Sequence, residues 1–244
     1  IETVFYPIPV KDALEVVQSN ESTFIQSGIP VDGPAEKNLV IKALNLLKSQ
    51  YDIPPLEVRL LKNIPFGAGL GGGSADAACM LKLINEFCSL RIPEEHLELM
   101  ASTLGADCPF FIRNKPVFAS GIGNIFEPVN LSLQDYHLCV IKPDISVSTP
   151  EAYSLVKPAQ PIVSLKKIIE MPVEEWREVM FNAFEKSVFA KQPVIEALKN
   201  ALYEEGAVYA SMSGSGSSVF GLFKKPTNLK DQFASCFVWE GKLQ

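Results

Sequence analysis

The sequence predicts a mixed α and β fold, because segments with helical periodicity alternate along the chain with segments that have strand patterns. Apolar positions recur at helical spacing between residues 34 and 51, whereas residues 56–61 alternate apolar and polar side chains. The 244 residues are enough for one large domain or two modest ones. A polar, turn-like stretch precedes residue 135, so we divide the chain into residues 1–134 and 135–244.

The individual elements follow from the same patterns, read in chain order. We expect strands at residues 1–10, 56–61, 109–112, 116–119, 137–142, 208–212 and 219–223, and an extended, turn-rich stretch at residues 12–26. We expect helices at residues 34–51, 74–88, 93–104, 150–157, 164–170, 172–191 and 194–205. The last twenty residues carry no pattern that predicts an element.

Charge and composition exclude several classes of protein. The net charge of −6 is opposite in sign to that of a non-specific nucleic-acid binder. No apolar run has the roughly 18 residues of a membrane span, and no signal-peptide pattern is present. The five Cys are widely spaced, which fits free thiols better than a disulfide framework. The two His are too few and too scattered for a His-based metal cage. We therefore expect a cytoplasmic protein that binds neither nucleic acid nor membrane and holds no metal by its side chains alone.

The most informative segment is a glycine-rich run between a predicted strand and a predicted helix. It consists of Pro65, Phe66, Gly67, Ala68, Gly69, Leu70, Gly71, Gly72, Gly73, Ser74 and Ala75. Gly residues allow positive φ and a close approach of the backbone to a ligand. Successive N–H groups and the positive end of the next helix then favour an anion, usually phosphate. A flexible linker is the alternative, although linkers seldom join a strand to an apolar-faced helix.

Three known nucleotide-binding patterns fit this loop poorly. The Walker A pattern requires Lys where Gly73 stands. The dinucleotide pattern matches Gly67, Gly69 and Gly72, but the acidic residue that it needs at the end of a second strand falls at residues 91–95, which resemble a helix start. The protein-kinase pattern needs further motifs that the chain lacks.

The loop instead resembles the ATP loop of the GHMP kinases, a family that phosphorylates alcohols such as galactose, homoserine and mevalonate. Further similar segments occur in the family's order: residues 104–111, residues 119–123, Asn182 with Glu185, and residues 212–220. The resemblance covers the chain from Ile1 to about Phe223. It is greatest to the members that use ATP to phosphorylate the 2-hydroxyl of 4-diphosphocytidyl-2-C-methyl-D-erythritol in the non-mevalonate isoprenoid route.

This resemblance implies a two-lobed α+β fold, with a ribosomal-protein-S5-like N-terminal lobe and a ferredoxin-like C-terminal lobe. It also implies ATP on residues 65–75, Mg²⁺ bridging the ATP phosphates, and a CDP-linked methylerythritol as the small-molecule substrate. We expect a monomer or a homodimer. Two alternatives remain: another GHMP kinase of the homoserine or mevalonate type, and a catalytically dead nucleotide-binding homologue. A dinucleotide oxidoreductase is a more distant third.

Asp107 is the candidate catalytic residue. From its position alone, after a helix that ends near Gly105, it is more readily a turn residue that caps the next segment. The resemblance reverses this interpretation, because Asp107 matches the family's catalytic Asp, which accepts or orients the proton of the substrate hydroxyl. Ser74 either reaches the phosphates or only caps its helix. Asp76 is expected to interact favourably with the helix dipole.

The substrate side is expected in the second half of the chain. Ser213, Gly214, Ser215 and Gly216 form a second glycine loop between two predicted strands, and two Gly among Ser residues suggest a backbone that faces a ligand. The resemblance brings this loop to the active-site cleft. It also makes Tyr153 the aromatic residue that stacks on cytosine, although Tyr153 could equally pack on the core of an amphipathic helix.

The chain departs from the family at its start. Members begin with a strand that carries an Ala-Lys-x-Asn-Leu motif, followed by Asp-Gly-Tyr-His, and neither motif is present. We expect a natural N-terminal strand to be missing from the material, and a polypeptide that truly began at Ile1 to be inactive with an uncovered sheet edge. A smaller departure is Ala183, where relatives often carry Asp.

Overall fold

The computed structural model describes residues 1–31, 33–156, 159, 161 and 163–244. The chain divides into two compact units, the first made of Ile1–Phe66 and Gly71–Val129 and the second of Gly67–Leu70 and Asn130–Gln244. The tip of the glycine-rich loop thus groups with the second unit, whereas both ends of the loop group with the first. The domain boundary that we place after residue 134 stays a prediction.

The first unit contains two small sheets. Its strands are β1 (Thr3–Phe5), β2 (Ala13–Gln18), β3 (Thr23–Gly28), β4 (Leu56–Lys62), β5 (Val117–Ser120) and β6 (Ile125–Pro128). One sheet has the order β2-β4-β3, with β2 antiparallel and β3 parallel to β4, and the other has the antiparallel order β1-β5-β6. Along β4 the side chains alternate, so that Leu56, Val58, Leu60 and Lys62 are buried. This alternation is what places Lys62 inside the unit.

The helices of the first unit surround α2. They are α1 (Leu39–Lys48), α2 (Gly72–Phe87), α3 (Glu94–Ser102) and α4 (Phe110–Arg113). The side chain of Asn38 caps α1 by accepting the N–H of Val40 at 2.9 Å. Met80, Leu81 and Ile84 of α2 are fully buried in the core that forms between the helices and β4. This packing fixes the helix that follows the glycine-rich loop.

The second unit is built on one antiparallel sheet with the order β10-β7-β9-β8. Its strands are β7 (His137–Lys142), β8 (Tyr209–Met212), β9 (Val219–Phe223) and β10 (Phe237–Lys242). Its helices are α5 (Thr149–Leu155), α6 (Leu165–Ile168), α7 (Trp176–Val179), α8 (Glu185–Lys191) and α9 (Pro193–Glu204). Ile195, Leu198 and Leu202 of α9 are buried in the core beneath β8 and β9.

Three predicted elements differ from the structure. The strand predicted over residues 1–10 is only β1, because Pro7 and Pro9 lack the N–H that a ladder requires. Residues 109–112 were predicted as a strand, but they begin α4, which Asn114 ends in the left-handed conformation. The helix predicted over residues 172–191 is broken between α7 and α8. The helix predicted over residues 150–157 corresponds to α5, and residue 157 lies outside the described residues.

Two strands escape prediction. β6 is a short edge strand, and β10 lies in the final stretch where no pattern was found. All five cysteines are unpaired, as predicted. No helix among the described residues combines the length and the apolar character that crossing a bilayer requires.

We predict that Leu81→Ala lowers the free energy of unfolding by about 2–5 kcal/mol, because it leaves a cavity in a fully buried part of α2. Leu99→Ala is the matched control, since Leu99 also lies in a helix but is 67% exposed. We expect that control to change stability by less than about 0.5 kcal/mol. Urea unfolding of both variants measures the difference, and equal losses would contradict the described core.

Candidate active site

The glycine-rich loop has an alternating backbone. Gly67, Gly69 and Gly71 have φ of +65°, +71° and +69°, so every second residue is left-handed. Gly71 is the N-cap of α2, and no side chain among the described residues caps this helix. The first N–H groups of α2 therefore remain available to an external acceptor, and the positive end of the 16-residue helix favours an anion there.

Two of the glycines are required by close contacts as well as by φ. A Cβ on Gly69 would lie 2.4 Å from the carbonyl oxygen of Ser213, and a Cβ on Gly71 would lie 2.8 Å from Cζ of Phe111. Any larger residue would force the backbone or the ring to move. The loop thus owes its shape to backbone-to-backbone packing at its tip and to an aromatic ring at its end.

The segment that carries Asp107 lies against the end of the glycine-rich loop. Phe111 lies against Gly71, and the side chain of Ser74 is close enough to the Cys108 thiol to lower its pKa. Burial raises the pKa of the Cys108 thiol, which is fully enclosed and chemically inert. The structure therefore brings Ser74 and the neighbour of Asp107 together within the first unit.

Asp107 itself is exposed to solvent and has no cationic partner among the described residues. Surrounding atoms nevertheless crowd its carboxyl group, and this desolvation raises its pKa above the ordinary value. Asp107 does not cap the next helix, because the N-cap of α4 is Pro109 and no side-chain hydrogen bond caps this helix.

The second glycine loop packs on the tip of the first. The hydroxyl of Ser213 donates to the carbonyl oxygen of Gly69 at 2.7 Å, and the N–H of Ser218 donates to that of Ala68 at 3.3 Å. Gly214 and Gly216 have positive φ. Residues 67–70 and 213–218 therefore form one continuous backbone surface within the second unit.

The second glycine loop is held by the side chains of Asn182 and Glu185. The sequence analysis named these two residues only as a segment that matches the family's order. Asn182 donates through Nδ2 to the carbonyl oxygens of Met212 and Gly214, both at 2.8 Å. The buried carboxylate of Glu185 accepts the N–H of Met212 at 2.9 Å and pairs with Lys199 at 2.6 Å. Asn182 lies three residues before Glu185, the first residue of α8. This spacing is the sequence signal that could have indicated a shared role.

Tyr153 lies on α5 in the second unit. Its side chain is 45% exposed, and its ring meets the edge of Phe184 at a centroid distance of 4.8 Å. The same helix contacts the second glycine loop, because the hydroxyl groups of Thr149 and Ser215 are 3.4 Å apart. Tyr153 therefore packs on a neighbouring ring while part of its side chain is exposed, on a helix that contacts this loop.

Sequence reasoning missed a buried charged cluster in the first unit. The ammonium group of Lys62 contacts the carboxylates of Asp12 and of Asp76, the second at 2.7 Å. Burial raises the pKa of Asp76 to about 6, against the opposing effect of Lys62. Asp76 is thus an ion-pair residue inside the unit, and the interaction with the helix dipole that we predicted does not describe it. The sequence signal for the burial of Asp76 was its position four residues before the buried Met80, on the inward face of α2.

The residues present suit ATP better than a protein-bound metal ion. No group of three His, Cys, Asp or Glu side chains in the described part of the chain is arranged to hold a metal. The uncapped end of α2 and the loop before it provide several N–H groups for phosphate oxygens. A Mg²⁺ ion that accompanied ATP would accordingly be held largely by the phosphates and water.

The chain matches known proteins over its full length. Residues 38–115 match the family described as GHMP kinases N terminal domain, and residues 164–237 match GHMP kinases C terminal. The chain is 69% identical to the 4-diphosphocytidyl-2-C-methyl-D-erythritol kinase of Parabacteroides distasonis, over 100% of this chain and 90% of that protein. It is 57% identical to the protein of the same name from Bacteroides fragilis, over 99% of this chain and 91% of that protein.

The solved structures give the same result. A crystal structure of 4-(cytidine 5'-diphospho)-2C-methyl-D-erythritol kinase matches with a TM-score of 0.84 and 30% identity, over 99% of this chain and 89% of that chain. The α+β fold that the sequence resemblance implied is therefore confirmed. On these matches, the chain belongs to the GHMP kinase family.

Proposed function

We propose that this protein transfers the γ-phosphoryl group of ATP to the 2-hydroxyl of 4-diphosphocytidyl-2-C-methyl-D-erythritol. The observation that carries the proposal is the 69% identity, over the whole chain, to a relative named as that kinase. The geometry supports it, because an uncapped helix end follows a loop of alternating left-handed glycines. Such a loop suits a triphosphate, which is the donor that a kinase requires.

The glycine-rich loop has the role of binding and orienting ATP. Its N–H groups and those of the first turn of α2 would donate to the phosphate oxygens, with Ser74 as the hydroxyl at the end of the loop. Phe66 is 72% exposed and offers an apolar surface beside these groups. When bound, Mg²⁺ neutralises phosphate charge and so eases attack on the γ-phosphorus.

Asp107 has the role of proton acceptor. As the acceptor oxygen forms its bond to the γ-phosphorus, the bond from that phosphorus to the bridging oxygen breaks and ADP leaves. The hydroxyl proton passes to the carboxylate of Asp107, which no cation among the described residues engages. A positioned base of this kind typically accelerates a reaction by about 10²–10⁴-fold.

On the substrate side, we assign Tyr153 to stacking on the cytosine ring and the loop of Ser213, Gly214, Ser215 and Gly216 to contacts with the bound ligands. The exposed face of Tyr153 and the positive φ of Gly214 and Gly216 support these roles. A cytoplasmic location, and a monomer or a homodimer, stay predictions.

The proposal is tested by incubating the purified protein, with its natural N-terminus, with Mg²⁺-ATP and each of three alcohols. We expect ADP and a phosphorylated product with the CDP-linked methylerythritol, and a far lower kcat/KM with mevalonate and homoserine. A preference for either of those alcohols would identify another GHMP kinase. ATP binding without transfer to any alcohol would identify a catalytically dead homologue.

We predict that Asp107→Asn lowers kcat by about 10²–10⁴-fold and leaves the Kd for ATP within a few-fold, because the amide cannot accept the proton. Asp52→Asn is the matched control, since Asp52 is an exposed loop Asp of the same unit. Steady-state kinetics with a separate nucleotide titration measure both quantities. Wild-type turnover by Asp107→Asn would remove this residue from the mechanism.

The proposed role of Asp107 predicts that kcat/KM depends on pH. The proton acceptor must be ionised, so kcat/KM falls when the pH drops through the pKa of Asp107. Desolvation raises this pKa above the ordinary 3.8, so the acid limb of the profile lies above pH 3.8. A profile of Asp107→Asn should lack that limb, and an unchanged limb would assign it to another group.

We predict that Gly69→Ala raises the KM for ATP by at least about tenfold, because its Cβ would displace the carbonyl oxygen of Ser213 from the loop tip. Gly206→Ala is the matched control: Gly206 also has positive φ, but nothing lies within 4 Å of its added Cβ. The control separates backbone strain from loss of the close contact. Equal effects of the two variants on the KM for ATP would contradict the proposed role of the loop tip.

A further inference from the structure

We infer that Asp12, Lys62 and Asp76 form a buried clamp that positions the glycine-rich loop to receive ATP. The inference rests on the proposed function, since it assigns these three side chains as positioning residues for the phosphoryl donor. None of them lies in the loop itself. Each acts through the backbone that leads into or out of the loop.

The three side chains are nearly sealed from water. Those of Lys62, Asp12 and Asp76 are 5%, 3% and 9% exposed. The ammonium group of Lys62 bridges the two carboxylates, and the other oxygen of Asp12 accepts the N–H groups of Asn63 at 2.6 Å and Ile64 at 2.8 Å. Every contact therefore joins segments that are distant in sequence.

These contacts tie the two ends of the loop to one ammonium group. Asn63 and Ile64 immediately precede Pro65, so Asp12 fixes the backbone where the chain leaves β4. Asp76 lies two residues after Ser74, so Lys62 fixes the first turns of α2 where the loop ends. Nζ of Lys62 also lies 3.6 Å from the position that a Cβ on Gly72 would occupy, directly beside the first residue of α2.

Stability alone is a poor reason for this arrangement. Buried ion pairs often contribute less than apolar side chains of similar volume, and here two carboxylates share one cation. Burial raises the pKa of Asp76 to about 6, so the folded state favours its protonated form. The contribution of this group to stability is therefore largest below pH 3.8 and declines as the pH rises to about 6. At neutral pH the burial of the ionised Asp76 therefore costs stability, so stability does not account for this carboxylate.

The loop needs such a clamp because its own residues restrain it weakly. Five of the seven residues from Gly67 to Gly73 are Gly, and a Gly-rich backbone loses much conformational entropy when it becomes ordered. A loop whose ends are already fixed loses less of that entropy when a ligand binds. The clamp would therefore show itself in nucleotide affinity rather than in the affinity for the alcohol.

The test compares Asp76→Ala with Asp76→Asn in the otherwise natural protein, using the Mg²⁺ complex of a non-hydrolysable ATP analogue as the probe. Asp76→Ala removes the contact with Lys62, and we expect its Kd for the analogue to rise at least about tenfold. Asp76→Asn keeps an oxygen that accepts from Lys62, and we expect a Kd within about threefold of wild type. Hydrogen exchange of residues 63–76 should become faster in Asp76→Ala only.

The control variant is Ile84→Val, which lies on the same helix and loses one buried methyl group. We expect it to lower the midpoint of thermal unfolding without changing the Kd, which separates positioning from stability. If Asp76→Ala does not fold, Asp76→Ser, whose side chain is too short to reach Lys62, takes its place. A folded variant without the contact that binds the analogue as wild type does would overturn the clamp. A wild-type protein that does not bind the analogue would instead overturn the proposed function.

Discussion

The candidate site depends on the first backbone N–H groups of α2, which no side chain in the described part of the protein caps. Unpaired polar groups are costly when they are buried, so a fold keeps them only at its surface or for a ligand. At the start of α2 the Gly71 N-cap has no side chain, and the residues before it turn left-handed at every second position. A side-chain cap would stabilise the helix but would occupy the place that we propose for the phosphates.

Leaving these groups open requires restraint from elsewhere, and each unit supplies its own. In the first unit, Lys62 with its two carboxylates fixes both ends of the glycine-rich loop. In the second unit, Asn182 and the Glu185–Lys199 pair fix the strand end and the carbonyl groups of the second glycine loop. Both loops are thus flexible in composition but are held by buried polar groups behind them, which is how a preformed site is kept accurate.

Much of this could be predicted from the sequence, because local pattern and final structure agree along most of the chain. The alternation in β4 and the helical spacing in α2 survive folding unchanged, so the loop between them was placed correctly. The strand predicted over residues 109–112 was wrong, because aromatic residues favour strands in general. In the structure, Phe110 packs with Phe5 and Phe126 at the start of a helical turn. β10 escaped because its partner β7 lies about a hundred residues away in sequence. The contact between Asp12 and Lys62 escaped for the same reason, because the two residues are 50 positions apart in sequence.

The proposed role of Asp107 as a base depends on how Asp107 differs from three buried carboxylates of the two units. Asp12, Asp76 and Glu185 each pair with a lysine, so an ammonium group already occupies carboxylate oxygens that would otherwise face a substrate hydroxyl. Asp107 has no such partner in the described chain, and partial desolvation raises its affinity for a proton. A carboxylate that water can reach but no cation neutralises keeps the basicity that transfer from a hydroxyl requires. Like charges repel, so in the proposed reaction the phosphates of ATP would be held by neutral N–H groups and Mg²⁺ rather than by Asp107.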